Sequence, residues 1–202
     1  MKIDEDSVDA VRELINIGVG RAAGLLNDMT GAHILLQVPE VRILRYHELI
    51  HEKGLLESEK LSAVTLEFDG SFSGISMLVF PPESAAILIM ALTGEKIEVP
   101  ELDALRIETL NEVGNIVNNA VMGSITNILN ERLTYSMPTY IEGSIQEILG
   151  REISYDYEWV ILAVSQFTLS DLHVVGNILM IFEIGSLDAL LLRIKDSAGQ
   201  NT

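Results

Sequence analysis

The chain has 202 residues, of which 48% are hydrophobic and 21% are charged, a composition typical of a globular protein. Its 30 acidic and 13 basic residues give a formal net charge of −17. Because such a charge repels phosphate backbones and anionic lipid at long range, binding to nucleic acid or to a membrane surface is not expected. A protein partner or a small molecule is the better expectation.

The sequence contains no cysteine, which excludes a disulfide framework and thiol chemistry and fits a reducing compartment. The N-terminal stretch MKIDEDSVDAVREL is acidic within six residues and has no apolar signal region. The longest apolar stretches, such as 85–92, are much shorter than a membrane span. We therefore expect a cytoplasmic protein.

The predicted elements form a series that occurs twice, at an offset of 99 residues. The first half predicts a long helix at 4–29, an extended segment at 32–39, a short helix at 45–53, strands at 61–70 and 73–80, and a helix at 82–94. The second half predicts the same series at 101–130, 133–138, 144–150, 157–169, 173–184 and 186–195. We expect one α+β domain with pseudo-twofold symmetry, built of repeats at about 1–99 and 100–195, with 196–202 as a flexible tail.

Each long helix combines a buried apolar stripe with a polar stripe on the opposite face. The apolar stripes comprise Val8, Val11, Leu14, Ile15, Ala22, Leu25 and Met29 in the first helix, and Leu105, Leu110, Val113, Ile116, Val117, Val121, Ile125 and Leu129 in the second. The polar stripes comprise Asp9, Glu13, Asn16 and Gly20, and then Glu108, Glu112, Asn115 and Asn119.

A proline follows the stripe asparagine at the same distance in both halves, since Pro39 lies 23 residues after Asn16 and Pro138 lies 23 after Asn115. Proline makes up roughly 5% of residues, so chance rarely produces both spacings. Duplicated ancestry alone would explain a solvated Glu and Asn on a helix face. A functional explanation is also open, because a carboxylate can bind a cation on a partner while a carboxamide holds an attacking water.

The pattern D-x-x-x-E-x-x-N-x22-P resembles the motif of the CheC/CheX/FliY family of chemotaxis phosphatases. Asp9, Glu13, Asn16 and Pro39 fit every position, whereas the second copy carries Glu108 where the family usually has Asp or Ser. Two motif copies in a short chain resemble CheC more than CheX or FliY. The resemblance implies a duplicated CheC-like domain with two long helices packed on an antiparallel β-sheet.

The resemblance also implies a phosphatase that hydrolyses the aspartyl phosphate of a CheY-type response regulator. Glu13 or Glu112 would pair with a lysine of the regulator, and Asn16 or Asn115 would orient the attacking water. Mg²⁺ is expected on the regulator, with no metal or cofactor bound by this chain. Asp9, Glu108, Pro39 and Pro138 would support the motif, and the prolines are expected to end the strand that follows each long helix.

Two alternatives remain open. The first is a non-catalytic scaffold that binds CheY or CheD, since flagellar-switch relatives use this architecture for docking and CheC-type proteins often pair with CheD. The second, remote alternative is a zinc protease, because His47, Glu48 and His51 form H-E-x-x-H. Against zinc, Gly54 would end the helix early, and Glu57 stands where a metzincin has its third histidine.

Overall fold

The computed structural model describes residues 3–31, 33–49, 60–94, 104–152, 157–169 and 172–199. These residues form six helices and seven strands in two similar series. The first series is α1 (Glu5–Thr30), β1 (Ile34–Arg45), α2 (Tyr46–Leu49), β2 (Leu61–Gly70), β3 (Gly74–Phe80) and α3 (Pro82–Thr93). The second is α4 (Ala104–Leu129), β4 (Leu133–Tyr135), β5 (Thr139–Gly143), α5 (Ile145–Glu152), β6 (Tyr157–Leu169), β7 (Leu172–Glu183) and α6 (Ser186–Gly199).

The ends of α1 follow from its terminal residues. Asp4 is the N-cap, and its carboxylate accepts a hydrogen bond from the backbone N–H of Ser7 at 2.9 Å. At the other end, Gly31 adopts a φ of 67°, and its N–H donates to the carbonyl of Asn27 at 2.8 Å. A left-handed residue with no Cβ closes a helix in this way.

The strands form a single antiparallel sheet in the order β1-β6-β7-β3-β2-β4, with β5 also paired to β2. The strands that follow each long helix therefore pair with a strand of the other half: β1 pairs with β6, and β4 and β5, which together correspond to β1, pair with β2. The halves thus complete each other's sheet, and the α+β fold class with pseudo-twofold symmetry is confirmed.

The register of the strands repeats the 99-residue offset seen in the sequence. Ile34 of β1 lies opposite Leu169 of β6, and Leu133 of β4 lies opposite Gly70 of β2. Each residue of the first pair differs by 99 from its counterpart in the second. The duplication is therefore retained in the strand pairing as well as in the order of elements.

Each face of the sheet has its own apolar core. The larger core lies between the sheet and α1, α3, α4 and α6, and includes Ile15, Val117, Phe80 and Phe167. The smaller core on the opposite face is closed by α2 and α5, through residues such as Leu49 and Ile148. The two long helices thus pack on the sheet, as expected, and their outward faces remain accessible.

The prediction that Pro39 ends its strand is wrong. Strand β1 continues to Arg45, and the pairing with β6 shifts between Gln37 and Glu40, on either side of the proline. Such a bulge tolerates proline, because a residue without an N–H can lie where the ladder is interrupted. In the second half the strand does end before Pro138, but β5, which the sequence did not predict, begins at Thr139.

Other boundaries differ in smaller ways. The predicted stripe on α1 included Leu25 and Met29, which are 53% and 50% exposed, so the buried face ends at Leu26. Helix α6 continues to Gly199, so 196–199, predicted as part of a tail, are helical. The predicted short helix at 45–53 is described only as α2, and its residues 50–53 lie outside the described residues.

Candidate functional site

The motif carboxylates project from the outward faces of α1 and α4. Glu13 and Glu112 are both exposed, one turn before the partly buried Asn16 and Asn115. Within the described part of the chain, neither glutamate forms an ion pair. Both carboxylates are therefore available to bind a cation that a partner supplies.

The lead residues of the two motif copies have different surroundings. Asp9 accepts from Arg12 at 2.9 Å, an ion pair between two exposed side chains one turn apart. Glu108 is exposed and lies one turn before Glu112, where like charges oppose each other weakly. The second copy thus presents two carboxylates in succession, neither of which forms an ion pair within the described part of the chain.

The amide of Asn16 is engaged with the backbone of β1. Its Oδ1 accepts from the N–H of Val38 at 3.2 Å, and its Nδ2 lies 3.5 Å from the Val38 carbonyl oxygen. Val38 falls at the bulge beside Pro39, where the ladder to β6 is interrupted. The side chain therefore satisfies a backbone donor that the sheet does not, which gives the 23-residue spacing from Asn16 to Pro39 a structural cause.

The amide of Asn115 has a different partner. Asn119, one turn further along α4, donates from Nδ2 to Oδ1 of Asn115 at 2.5 Å and to its backbone carbonyl at 2.9 Å. Among the described residues, Nδ2 of Asn115 has no acceptor. The two motif asparagines thus differ in their bonding: the amide of Asn16 is bonded to a strand, whereas the NH₂ group of Asn115 is free to donate to a partner.

Ser136 and Glu67 pair in the second half as their 99-residue counterparts, Gln37 and Gln166, do in the first. The N–H of Ser136 donates to the carbonyl of Glu67 at 3.1 Å, and its hydroxyl accepts from the N–H of Glu67 at 3.0 Å. These bonds bridge the gap between β4 and β5 just before Pro138. Met137, the counterpart of the buried Val38, is 85% exposed. Among the described residues, no side chain accepts from the Met137 N–H as Asn16 accepts from Val38, so Asn115 has no counterpart of that bond.

The zinc alternative finds no support in the described residues. His47 and Glu48 lie on the short helix α2, whereas His51, Gly54 and Glu57 lie outside the described residues. Among the described residues, no group of three or more His, Asp or Glu side chains could hold a metal. No helix in the described ranges is both long and apolar enough to cross a membrane.

Comparison with known proteins finds relatives in chemotaxis. The CheY-P phosphatase CheC of Bacillus subtilis is 25% identical over 139 residues, which cover 67% of this chain and 66% of that protein. The chain thus spans slightly less than two thirds of that relative's length. No family model matches the sequence.

Two solved structures share the fold. Thermotoga maritima FliY matches with a TM-score of 0.79 at 17% identity, covering 98% of this chain and 100% of that one. The CheX–CheY–BeF₃–Mg²⁺ complex of Borrelia burgdorferi matches with a TM-score of 0.50 at 20% identity, covering 85% and 99%. The sequence similarity to CheC and the fold shared with FliY and CheX support the resemblance to the CheC/CheX/FliY family found in the motifs.

Proposed function

We propose that this protein is a phosphatase that hydrolyses the aspartyl phosphate of a CheY-type response regulator. The observation that carries the proposal is the repeated pair on the long helices, an exposed glutamate followed one turn later by an asparagine. Similarity to a CheY-P phosphatase and the fold shared with a CheX–CheY complex support it.

The proposed chemistry is catalysis by positioning. Glu13 or Glu112 binds a lysine of the regulator, which fixes the orientation of the two proteins. Asn16 or Asn115 then enters the phosphorylated pocket and holds a water in line with the phosphorus–oxygen bond to be broken. The regulator supplies the acyl phosphate and its Mg²⁺, so this chain needs neither a nucleophile nor a metal. The Mg²⁺ in the complex that contains CheX and CheY is consistent with this division.

A scaffold function is the second candidate. The chain shares its fold with FliY, and a shared fold does not by itself imply catalysis. In addition, Asn16 forms hydrogen bonds with the backbone of Val38, so one motif residue has a structural role that is independent of catalysis. In this alternative the chain binds CheY or CheD through the same faces without hydrolysis.

The test is the decay of a phosphorylated CheY-type regulator, with and without the purified chain. The phosphatase proposal predicts faster decay at substoichiometric protein, with no change on adding zinc or a zinc-selective chelator. Glu13→Lys/Glu112→Lys should abolish both complex formation and acceleration, because the lysines repel the regulator's cation. If wild-type protein binds regulator or CheD but leaves decay unchanged, the scaffold alternative replaces the phosphatase.

A further inference from the structure

The position of Asn119 differs between the two halves more than the neighbouring motif positions do. Its counterpart at the 99-residue offset is Gly20, which has no side chain and meets nothing within 4 Å of a Cβ built on it. Asn119 is exposed on α4, yet its amide donates twice to Asn115, to Oδ1 and to the backbone carbonyl. The second motif copy therefore contains a contact that the first copy cannot form.

This contact determines which atoms of Asn115 remain available. A carbonyl oxygen has two lone pairs, so Oδ1 can accept from Asn119 and still accept from a water. The bond also fixes the orientation of the Asn115 carboxamide, because Oδ1 must face the donor on Asn119 and the NH₂ group must face away. In this orientation, Oδ1 can accept a water proton while Nδ2 donates to a phosphoryl oxygen.

We propose that Asn119 is a positioning residue, which holds the Asn115 carboxamide in the orientation needed for water-assisted attack on the aspartyl phosphate. This inference rests on the proposed phosphatase function and adds a residue to its second site. The alternative is that Asn119 only satisfies a helix carbonyl, as exposed polar side chains can do on any helix. The two explanations differ in turnover, since a helix-surface bond has no reason to change the chemical step.

The experiment uses full-length protein carrying Asn16→Ala, so that only the second site can act. Asn119→Ala in this background should lower kcat about five- to tenfold with KM for the phosphorylated regulator within about twofold, because orientation is lost while docking is kept. Asn119→Gln, which retains an amide donor, should recover at least part of the rate. Asn127→Ala, another exposed asparagine on α4, is the matched control and should leave kcat unchanged.

A second readout does not depend on activity. Side-chain NMR relaxation of the Asn115 NH₂ group should show greater mobility in Asn119→Ala and no change in Asn127→Ala. If Asn119→Ala keeps the kcat of its parent, or if Asn127→Ala lowers kcat equally, the positioning role is overturned while the phosphatase stands. If wild-type protein itself fails to accelerate decay, the proposed function fails first, and the positioning role with it.

Discussion

Gly18 of α1 lies against the backbone of Val121 of α4, so closely that a Cβ built on the glycine would be 2.4 Å from the Val121 Cα. The same Cβ would lie 3.0 Å from the carbonyl oxygen of Ala120. The atoms in the way belong to the backbone, so the two helices would have to separate to admit a methyl group. Close packing of α1 on α4 fixes the helices that carry both motif copies.

Gly18→Ala is therefore expected to destabilise the protein, although alanine is the better helix former. The clash should outweigh the propensity gain and lower the free energy of unfolding by about 1–3 kcal/mol, measured by urea denaturation. Gly24→Ala is the matched control, because Gly24 lies on the same helix with nothing within 4 Å. It should raise stability by about 0.5–1 kcal/mol. Equal stability of the two variants would contradict the close contact.

The different partners of the motif asparagines lead to a second prediction. Asn16→Ala removes the acceptor for the Val38 N–H and should lower the free energy of unfolding by about 1–2 kcal/mol. Asn115→Ala removes only a bond to the exposed Asn119 and should change it by less than about 0.5 kcal/mol. Urea denaturation of both variants checks this difference. Equal losses would show that the bond to Val38 contributes little.

The same contacts predict unequal catalytic sites. Asn16 must leave Val38 before it can enter a regulator's pocket, and breaking such bonds costs about 1 kcal/mol, or about fivefold in the competent population. Asn115 has no bond to a strand to break. Asn115→Ala should therefore lower the rate of regulator dephosphorylation several-fold more than Asn16→Ala does. A larger loss in Asn16→Ala would contradict this order.

A polar cluster at the edge of the sheet predicts a pH dependence. Glu142 accepts from Tyr140 at 2.6 Å and pairs with Lys60 at 2.8 Å. Burial favours the neutral acid, but the hydrogen bonds from Lys60 and Tyr140 outweigh it and lower the pKa of the carboxyl group. Desolvation of the phenol and its bond to Glu142 raise the pKa of Tyr140 above its ordinary range.

Because the folded pKa of Glu142 lies below the unfolded value of about 4.3, its contribution is present above that pH and is lost as pH falls through the folded value. Wild-type protein should exceed Glu142→Gln in free energy of unfolding at pH 7 by less than about 1 kcal/mol, since the carboxylate is partly exposed. The difference should shrink as pH falls below the unfolded value and vanish once the carboxyl group is protonated in the folded protein as well. A difference that is constant with pH would exclude a contribution from the charge.

The sequence predicted the elements well because their periodicities are local. The strands 61–70 and 157–169 match β2 and β6 at both ends. The second long helix, predicted at 101–130, ends one residue earlier at Leu129, and its predicted residues 101–103 lie outside the described residues. The exchange of first strands between the halves could not be predicted in the same way. Register between distant strands is set by tertiary packing, which no local pattern encodes.

The sequence predicted where the residues of the candidate site lie, but not their hydrogen-bond partners. Spacing placed Glu13 and Asn16 on an outward face; Glu13 is exposed there, whereas Asn16 is partly buried. It could not indicate that Asn16 would bond to Val38, because that contact depends on a bulge at Pro39 that was interpreted as a strand end. The roles of all four motif residues in catalysis stay predictions.

The phosphatase mechanism is tested most directly by Asn16→Ala/Asn115→Ala, which retains both glutamates and both docking faces. We predict that the double variant binds phosphorylated regulator with an affinity close to that of wild type and leaves its decay at the spontaneous rate. Each single variant should retain part of the acceleration. A folded double variant that still accelerates decay as wild type does would show that neither asparagine orients the water, and would contradict the mechanism.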